Sequence, residues 1–440
     1  MSKNNNIGRV IVVILLVVFT ITSISHFSLR HKLDSYPDIP ESVDVVIIGS
    51  GLAGAAAALS STQAGAQVLY IDMTSDGLDF PAFSPAFWAA GTVYQEQLDF
   101  DYSPLEMTER ITGGDEEQSF SLVLRLSQES AASLAWLEES TGRDFSLLPD
   151  SANPGLHWPL TERAEDFTVE GLHREFSFLL HGISRQAIPE QLLVEDGKVK
   201  GVILKDHSGT EYTVRCRTVL LADGGIAGNP ELFESHTGLD AVTPRPQGGH
   251  KGLGLSLAKK IGTDIEKLSH VNLISVYLPD SRLFSASTFS TAVYLHPDGS
   301  AITLDPTPVE AIHSVGGLVY SVLGRGHEGS NGNFLPFENM ESLAEVLDMD
   351  LALLSESLGR LNPPYLVGAL GVIALTPGGL RIDEHFRVLR DDGSFIEGLY
   401  AAGEIVSGLY GDEANTDWVF AADVTSGRLA GHEAARQAQW

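Results

Sequence analysis

Three glycines near the start of the chain have a spacing that suits phosphate binding. Gly49, Gly51 and Gly54 form the pattern G-x-G-x-x-G, and Asp72 follows where an acid can accept hydrogen bonds from ribose hydroxyls. The first glycine permits a tight turn, the second lets the backbone approach a pyrophosphate, and the third lets a helix pack closely on a strand. These residues predict a dinucleotide site, with the phosphates at a helix N-terminus.

The surrounding segments have the order that such a site needs. VDVVIIG, from Val43, is a continuous apolar run that predicts a buried parallel strand. AAAALSSTQAG predicts a helix ending at Gly65, and QVLYID predicts a second strand with Asp72 at its end. Together they predict a Rossmann unit, and a βαβ turn without a nucleotide is the alternative.

A second strand and helix near the C-terminus bear on which dinucleotide binds. GSFIEGLYAAGEI predicts a strand ending in Gly403-Glu404, and a helix is predicted from about Asp417 to Gln437. The first unit alone leaves FAD and NAD open. A large cofactor that spans a sheet needs a second contact of this kind, which favours FAD.

Length and composition indicate a globular protein. The chain has 440 residues, enough for two or three domains, with 43% hydrophobic and 20% charged residues. Its formal net charge of −30 repels phosphate backbones, which argues against nucleic acid as a partner. With one cysteine, Cys216, the chain has no intrachain disulfide, cysteine zinc cluster, iron–sulfur centre or CxxCH haem site, and no metal site is predicted.

Residues 1–32 differ in charge from the rest, because they contain basic residues and no acid. The stretch between Arg9 and Arg30 has no charged residue and is long enough for one membrane helix, although its densest apolar part, Val10 to Phe19, also suits a signal peptide. A membrane anchor is the favoured prediction, and an exported soluble protein with a cleaved signal is the alternative. Both predict a body outside the cytoplasm, of the periplasmic type.

Longer segments resemble the FAD-binding flavoproteins related to fumarate reductase, succinate dehydrogenase and 3-ketosteroid dehydrogenase. DVVIIGSGLAGAAAALSSTQAGAQVLYID resembles the ADP-binding start of that family, and FSPAFWAAGTVYQ resembles its segment beside the flavin. LLADGGIAGN resembles LATGGFGGN, with Asp223 for threonine, and GLGLSLAKKIGTDI resembles GDGIxMAxxxGA, with Leu253 for aspartate. GGLRIDEHFRVLRDDGSFIEGLYAAGE is most similar to the ketosteroid-dehydrogenase branch.

The resemblance implies an α/β fold in which a Rossmann-like FAD-binding domain is interrupted by a smaller α+β capping domain. With the N-terminal prediction, the expected division is a membrane anchor or signal segment at 1–32, an FAD-binding domain at 33–270 and 373–440, and a cap at 271–372. Substrate is expected between cap and flavin. FAD is expected to be non-covalent, because no histidine stands between residues 32 and 156 to carry it.

The resemblance also implies the FAD contacts, most of them small residues next to predicted strands. They are Gly49, Gly51, Ala53, Gly54, Asp72, Ala90, Gly91, Ala222, Gly224, Gly225, Gly403 and Glu404. A packing role is the alternative for several of them, above all for Ala90 and Gly91.

The side chains that handle substrate in the fumarate-reducing members are missing. Ile274 stands where the resemblance places the first histidine, Ala374-Leu375 where it places the second, and Thr416 where it places an arginine. SAITLDPTP contains no counterpart of the proton-delivering arginine. A dicarboxylate needs fixed positive charge in a buried site, so fumarate and succinate are not expected as substrates. The steroid-dehydrogenase motif YPGAG is absent too, although Tyr410 stands nearby.

Catalytic candidates therefore come from positions expected at the cleft between cap and flavin. A tyrosine or histidine there could act as general acid or base beside a hydride step. The main candidates are Tyr410, Asp417 and His313, with His270, Tyr277 and Tyr365 behind them. Each has a packing or helix-start explanation as the alternative.

The segment after His173 is shorter than its counterpart in the family. Between His173 and the strand pair in QLLVEDGKVKGVILKD the family has a helix and a strand, and HREFSFLLHGISRQAIPE is too short for both. This predicts that adenine is held differently or that FAD is bound more weakly.

The predicted function is hydride transfer between flavin N5 and a small or lipophilic organic substrate, across a carbon–carbon single or double bond. The reaction class comes from family analogy alone. Electrons would pass to or from a membrane quinone or a small redox protein. The alternatives are an FAD-binding protein that has lost turnover and an NAD(P)-linked dehydrogenase.

Overall fold

The computed structural model describes residues 39–49, 51–73, 86–113, 118–147, 155–159, 169–239, 251–278, 282–283, 292–302, 312, 317–326, 334–411 and 416–438. Beyond Ile39 all of these belong to the unit Pro40–Trp440. The predicted membrane segment, residues 1–32, lies outside the described residues. Among the helices of the described part, none combines the length and apolarity that a membrane crossing needs.

The described part of the chain contains both helices and strands. The helices are α1 (Leu52–Gln63), α2 (Val93–Gln97), α3 (Pro104–Thr112), α4 (Gln118–Thr141), α5 (Val169–Leu180), α6 (Pro230–Thr237), α7 (Leu253–Lys259), α8 (Met340–Leu347), α9 (Leu351–Leu358) and α10 (Val419–Ala438). The strands are β1 (Val45–Ile48), β2 (Val68–Asp72), β3 (Phe87–Trp88), β4 (Phe145–Leu147), β5 (Leu156–Pro159), β6 (Ser184–Gln186), β7 (Ile188–Glu195), β8 (Lys198–Lys205), β9 (Glu211–Arg215), β10 (Thr218–Leu221), β11 (Ile265–Glu266), β12 (Asn272–Leu278), β13 (Arg282–Leu283), β14 (Val293–Leu295), β15 (Ala301–Ile302), β16 (Leu318–Leu323), β17 (Leu335–Phe337), β18 (Tyr365–Leu375), β19 (Gly379–Leu380), β20 (Arg387–Leu389) and β21 (Phe395–Ala401).

Six strands form the sheet that carries the glycine turns. Their order is β20-β21-β10-β1-β2-β6, with β20 antiparallel at one edge and the others parallel. Every residue of β1 and β10 is buried, in keeping with their sequences, which are apolar apart from Thr218 at the start of β10. The parallel order brings the carboxyl ends of β1, β2, β10 and β21 to one edge of the sheet. We call this edge the carboxyl edge.

Helices α1 and α10 pack against each other through small residues. Ser61 Oγ donates to Gly431 O at 2.8 Å. A Cβ on Gly427 would lie 2.2 Å from Ala53 O, and a Cβ on Gly431 would lie 2.3 Å from Ala57 O. Only glycine permits this approach, so α10 fixes the first turns of α1 at the carboxyl edge.

A second, antiparallel sheet comes from residues 272–375. Its order is β13-β12-β18-β16-β14-β15, and β17 also pairs with β18. Leu343 of α8 and Leu354 of α9 are buried in one cluster with Leu295 and Val322 of the sheet. This sheet overlaps the predicted cap, 271–372, whose boundaries stay a prediction.

The segment that was predicted to be too short for a helix and a strand contains the end of α5, which begins before it at Val169, and all of β6. α5 ends at Leu180, and Ile183 N donates to Leu180 O at 2.9 Å in the turn that follows. β6 then needs only Ser184–Gln186, which pair in parallel with Tyr70–Asp72 of β2. An edge strand of 3 residues after a tight turn takes little chain, so β6 fits although the segment is short. The expectation that adenine is held differently or that FAD binds more weakly stays a prediction.

Candidate active site

The turn after β1 lies directly against the turn after β10. Gly49 has φ 129°, and a Cβ there would lie 2.1 Å from Ala222 O. A Cβ on Gly54 would lie 2.0 Å from Gly49 O. Larger residues would clash at both positions, so the glycine pattern sets where α1 begins.

The N-terminus of α1 suits a phosphate. Gly51 is its N-cap residue and has no side chain to cap the helix, and the first turn contains no acid. The first amides of a helix have no acceptor within the helix and carry partial positive charge. Ala53 lies in this turn, and Asp72 ends the adjacent strand β2. A pyrophosphate at α1 with a ribose at Asp72 fits this arrangement.

Strand β21 ends beside the same turn. Gly403 has φ 75°, and a Cβ there would lie 2.7 Å from Ala53 Cβ. Its amide donates to Ser426 Oγ of α10 at 3.2 Å. The two predicted nucleotide segments, which are far apart in the chain, therefore meet at the carboxyl edge.

Glu404 is buried and bonded to the second sheet. Its Oε1 accepts from Thr376 N at 2.8 Å and from Thr376 Oγ1 at 2.9 Å. Thr376 Oγ1 in turn accepts from Ile226 N at 3.2 Å, and a Cβ on Gly225 would lie 1.9 Å from that oxygen. Sequence reasoning found Gly225 and Glu404 but missed Thr376. Its position between β18 and a pair of glycines was the available signal.

Asp223 holds the start of α7. It is 4% exposed, and its Oδ2 accepts from Gly254 N at 2.7 Å. A Cβ on Gly254 would lie 2.0 Å from Asp223 Oδ1. Next to it, Gly224 has φ 79°. The sequence marked Asp223 as a departure from the family wording, and the structure shows what this carboxylate does.

Ala90 and Gly91 lie in the loop between β3 and α2, and they differ in exposure to solvent. Ala90 is buried, and its amide donates to Ser130 Oγ of α4 at 3.1 Å. Gly91 is exposed, has φ 72°, and a Cβ there would meet no atom within 4 Å. Of the two, Gly91 has the space for a ligand.

The structure describes two of the three main catalytic candidates, Tyr410 and Asp417. Tyr410 is 1% exposed, and its hydroxyl donates to Asp423 Oδ1 at 2.7 Å. Burial, followed by the charges of Asp423 and Glu404, raises the pKa of Tyr410 well above its usual range. This favours a positioning role for Tyr410 over proton transfer. Asp417 is partly exposed just before α10, and His313 lies outside the described residues.

The strands that would carry the two family histidines carry aliphatic side chains. β12 and β18 pair with Ile274 opposite Ile373. Ile274, Ala374 and Leu375 are buried, and Leu375 directly precedes Thr376. The chain beside the Thr376–Glu404 contact is therefore apolar.

Several described stretches at or near the carboxyl edge contain no lysine or arginine. They are residues 86–109, 218–226, 372–380, 401–411 and 416–427, whereas Arg185 lies on the edge strand β6 beside β2. The next arginine along α10 is Arg428. Its guanidinium is paired with α4, where it donates to Glu129 Oε2 at 2.8 Å.

A parallel sheet with glycine turns, a helix start without a side-chain cap and an acid at the end of the adjacent strand defines a Rossmann-type nucleotide site. Residues 44–292 and 348–414 match the protein family described as FAD binding domain, and the chain belongs to this family. FAD is therefore its cofactor.

Two relatives and one solved structure place the chain within this family. It is 26% identical over 450 residues to NADH:fumarate oxidoreductase of Klebsiella pneumoniae (strain 342), covering 91% of this chain and 48% of that protein. It is 24% identical over 463 residues to vinyl phenol reductase of Lactiplantibacillus plantarum (strain ATCC BAA-793 / NCIMB 8826 / WCFS1), covering 84% and 91%. The open conformation of a flavocytochrome c3 fumarate reductase has a TM-score of 0.75 at 22% identity, covering 94% of this chain and 81% of that one.

These likenesses confirm the predicted family and its α/β fold. The chain spans about half the length of the Klebsiella relative and most of the Lactiplantibacillus one.

Proposed function

We propose that this protein is an FAD-dependent oxidoreductase acting on a carbon–carbon single or double bond of an uncharged, lipophilic substrate. The observation that carries the substrate class is the lack of any lysine or arginine in the described residues 86–109, 218–226, 372–380, 401–411 and 416–427, beside buried aliphatic residues of β12 and β18. Bound FAD supplies the hydride donor or acceptor.

The chain's own residues hold the cofactor in this proposal. The first turn of α1, with Gly51 and Ala53, binds the pyrophosphate, and Asp72 accepts from the ribose. Gly403 and Glu404 bound the site from β21, while Gly91 contributes from the opposite loop. The lack of a histidine between residues 32 and 156 supports non-covalent binding.

The charge of the substrate indicates which of the relatives' activities this protein is expected to share. A carboxylate costs several kcal/mol to desolvate unless it is paired, and Glu404 and Asp223 already add negative charge at this edge. Fumarate is therefore disfavoured. The name of the Lactiplantibacillus relative, vinyl phenol reductase, is that of an enzyme for an uncharged alkene and agrees with this assignment.

A carbon–carbon reduction also needs a proton. Asp417 is partly exposed at the start of α10, whereas Tyr410 is buried against Asp423. We assign the proton transfer to Asp417. Electrons would come from a quinone or a small redox protein, and residues 1–32 would place the body outside the cytoplasm on a membrane anchor.

Reoxidation of the flavin tests the substrate class. The FAD-loaded protein would be reduced anaerobically with dithionite and mixed with 4-vinylphenol, acrylate or fumarate while the flavin absorbance is followed. We expect 4-vinylphenol to reoxidise the flavin at least about tenfold faster than either acid. Faster reoxidation by fumarate would contradict the proposal.

A second candidate function is FAD binding without turnover, which the missing histidines and arginines favour. In that case none of the alkenes would reoxidise the flavin, although FAD would still bind. An Asp417→Asn variant adds a control, because it should slow reoxidation by 4-vinylphenol while FAD binding is unchanged.

A further inference from the structure

The loop 89–92, between β3 and α2, is supported from behind by buried side chains. Gln95 Nε2 donates to Ala89 O at 3.1 Å, and Thr92 N donates to Gln95 Oε1 at 2.8 Å. Gly91, at the tip, is the exposed residue with open space before it. The loop therefore presents one backbone segment outward from a fixed base.

His157 on β5 completes this support. Its side chain is fully buried, with Nδ1 2.8 Å from Gly155 O and Nε2 2.8 Å from Thr92 Oγ1. A carbonyl oxygen only accepts, so Nδ1 bears the proton and the neutral ring accepts from the Thr92 hydroxyl at Nε2. Burial lowers the pKa of His157 to about 4, which agrees with a neutral ring.

The imidazole acts on both ends of the loop. At one end it bonds Thr92 directly. At the other end, Gly155 O accepts both from His157 and from Ala89 N, the latter at 2.9 Å. An apolar residue of similar size would fill the volume but would leave the Thr92 hydroxyl and the Gly155 carbonyl without this partner.

We propose that His157 is a positioning residue for FAD, which it serves by fixing loop 89–92 so that the Gly91 backbone faces the cofactor. The inference rests on the proposed function, in which Gly91 contacts FAD. It differs from a role in core packing alone, because the effect must appear in FAD affinity as well as in the stability of the FAD-free protein.

The experiment compares FAD dissociation constants, from flavin fluorescence, with the melting temperatures of the FAD-free proteins. His157→Phe is expected to bind FAD about tenfold more weakly, because two buried hydrogen bonds are lost. His157→Asn keeps a donor for Gly155 O and is expected to recover part of that loss. Thr92→Val should weaken FAD binding, whereas Thr92→Ser, which keeps the hydroxyl, should stay within about twofold.

Ser103→Ala controls for the lost helix cap, because Thr92 also caps α2. Ser103 Oγ accepts from Glu106 N at 3.1 Å at the start of α3, a different helix from α2. This variant should lower the melting temperature and leave FAD affinity unchanged.

The inference is overturned if the variants lose stability but not FAD affinity. Unchanged FAD affinity in His157→Phe and Thr92→Val, with a lower melting temperature alone, would show that the imidazole only supports the fold. If His157→Phe does not fold, Thr92→Val decides, since it leaves the histidine in place. If the wild-type protein itself fails to bind FAD, the proposed function fails. If it binds and the variants bind equally well, only the role of His157 fails.

Discussion

Thr376 donates both its amide and its hydroxyl to one oxygen of Glu404, at 2.8 Å and 2.9 Å. The contact joins the end of β18, in the antiparallel sheet, to the end of β21, in the parallel sheet. A predicted FAD contact is thus held in place by the strand that also supplies the apolar residues beside it. In the proposed function, this contact therefore links the residue that bounds the FAD site to the strand that borders the substrate.

Weakening the Thr376–Glu404 contact should lower both the stability of the protein and its affinity for FAD. Thr376→Val removes the hydroxyl, so Glu404 loses one donor and Ile226 N loses its acceptor. We expect the free energy of unfolding to fall by about 2–3 kcal/mol and FAD to bind more weakly. Urea unfolding and FAD titration measure both effects. Thr376→Ser keeps the hydroxyl and should behave like the wild type; equal losses in both variants would contradict the assignment.

The contact between α1 and α10 should not tolerate a methyl group. In Gly427→Ala the new Cβ would meet Ala53 O at 2.2 Å, so helix or backbone must shift. We expect a loss of about 1–3 kcal/mol in the free energy of unfolding. Gly182→Ala is the matched control, because nothing lies within 4 Å of its Cβ position. A similar stability in the two variants would show that this packing is looser than described.

The free energy of unfolding should fall as the pH is lowered, because His157 is held neutral in the folded protein. Its folded-state pKa is lowered to about 4, from an ordinary value of 6.5, so between these values the unfolded chain binds the extra proton. The stability that the neutral ring contributes is present above pH 6.5 and is lost as pH falls towards 4, by about 3 kcal/mol in total. The measurement is urea unfolding from pH 7 to pH 4 in the wild type and His157→Asn. The difference between the two profiles should shrink as pH falls, and a constant difference would contradict the prediction.

Tyr410 and Asp417 should respond differently to substitution. Tyr410→Phe removes the hydroxyl bonded to Asp423, which we expect to cost about 1–2 kcal/mol of stability while flavin reoxidation by substrate stays within about tenfold of the wild type. Asp417→Asn should instead slow that step at unchanged stability. Single-turnover reoxidation and thermal unfolding measure the two properties. A Tyr410→Phe protein of normal stability that has lost reoxidation would return the proton transfer to Tyr410.

The first strand, turn and helix of the parallel sheet could be predicted from the sequence, because residues close together in the chain determine them. The turn at Gly49, the helix to about Gly65 and the strand to Asp72 are dictated by neighbouring residues, and all three form. The short segment after His173 still holds the edge strand β6, because such a strand needs only 3 residues, and sequence alone does not show how short an edge strand can be.

The supports of the site were harder to predict, because they depend on contacts between distant segments. Glu404 was expected, but its partner Thr376 comes from the other sheet. His157 had no distinguishing pattern, since a single histidine beside a tryptophan gives no sign of burial. Tyr410 was chosen for its position after β21, which says nothing about which way the ring points.

The most direct test of the central claim is the visible absorption spectrum of purified residues 33–440 after incubation with FAD, before and after denaturation. The account predicts a bound-flavin spectrum and release of intact FAD on denaturation, with Gly54→Val binding little because its side chain would meet Gly49 O. A well-folded wild-type protein that takes up no FAD would contradict the account, and flavin that stays attached after denaturation would contradict non-covalent binding.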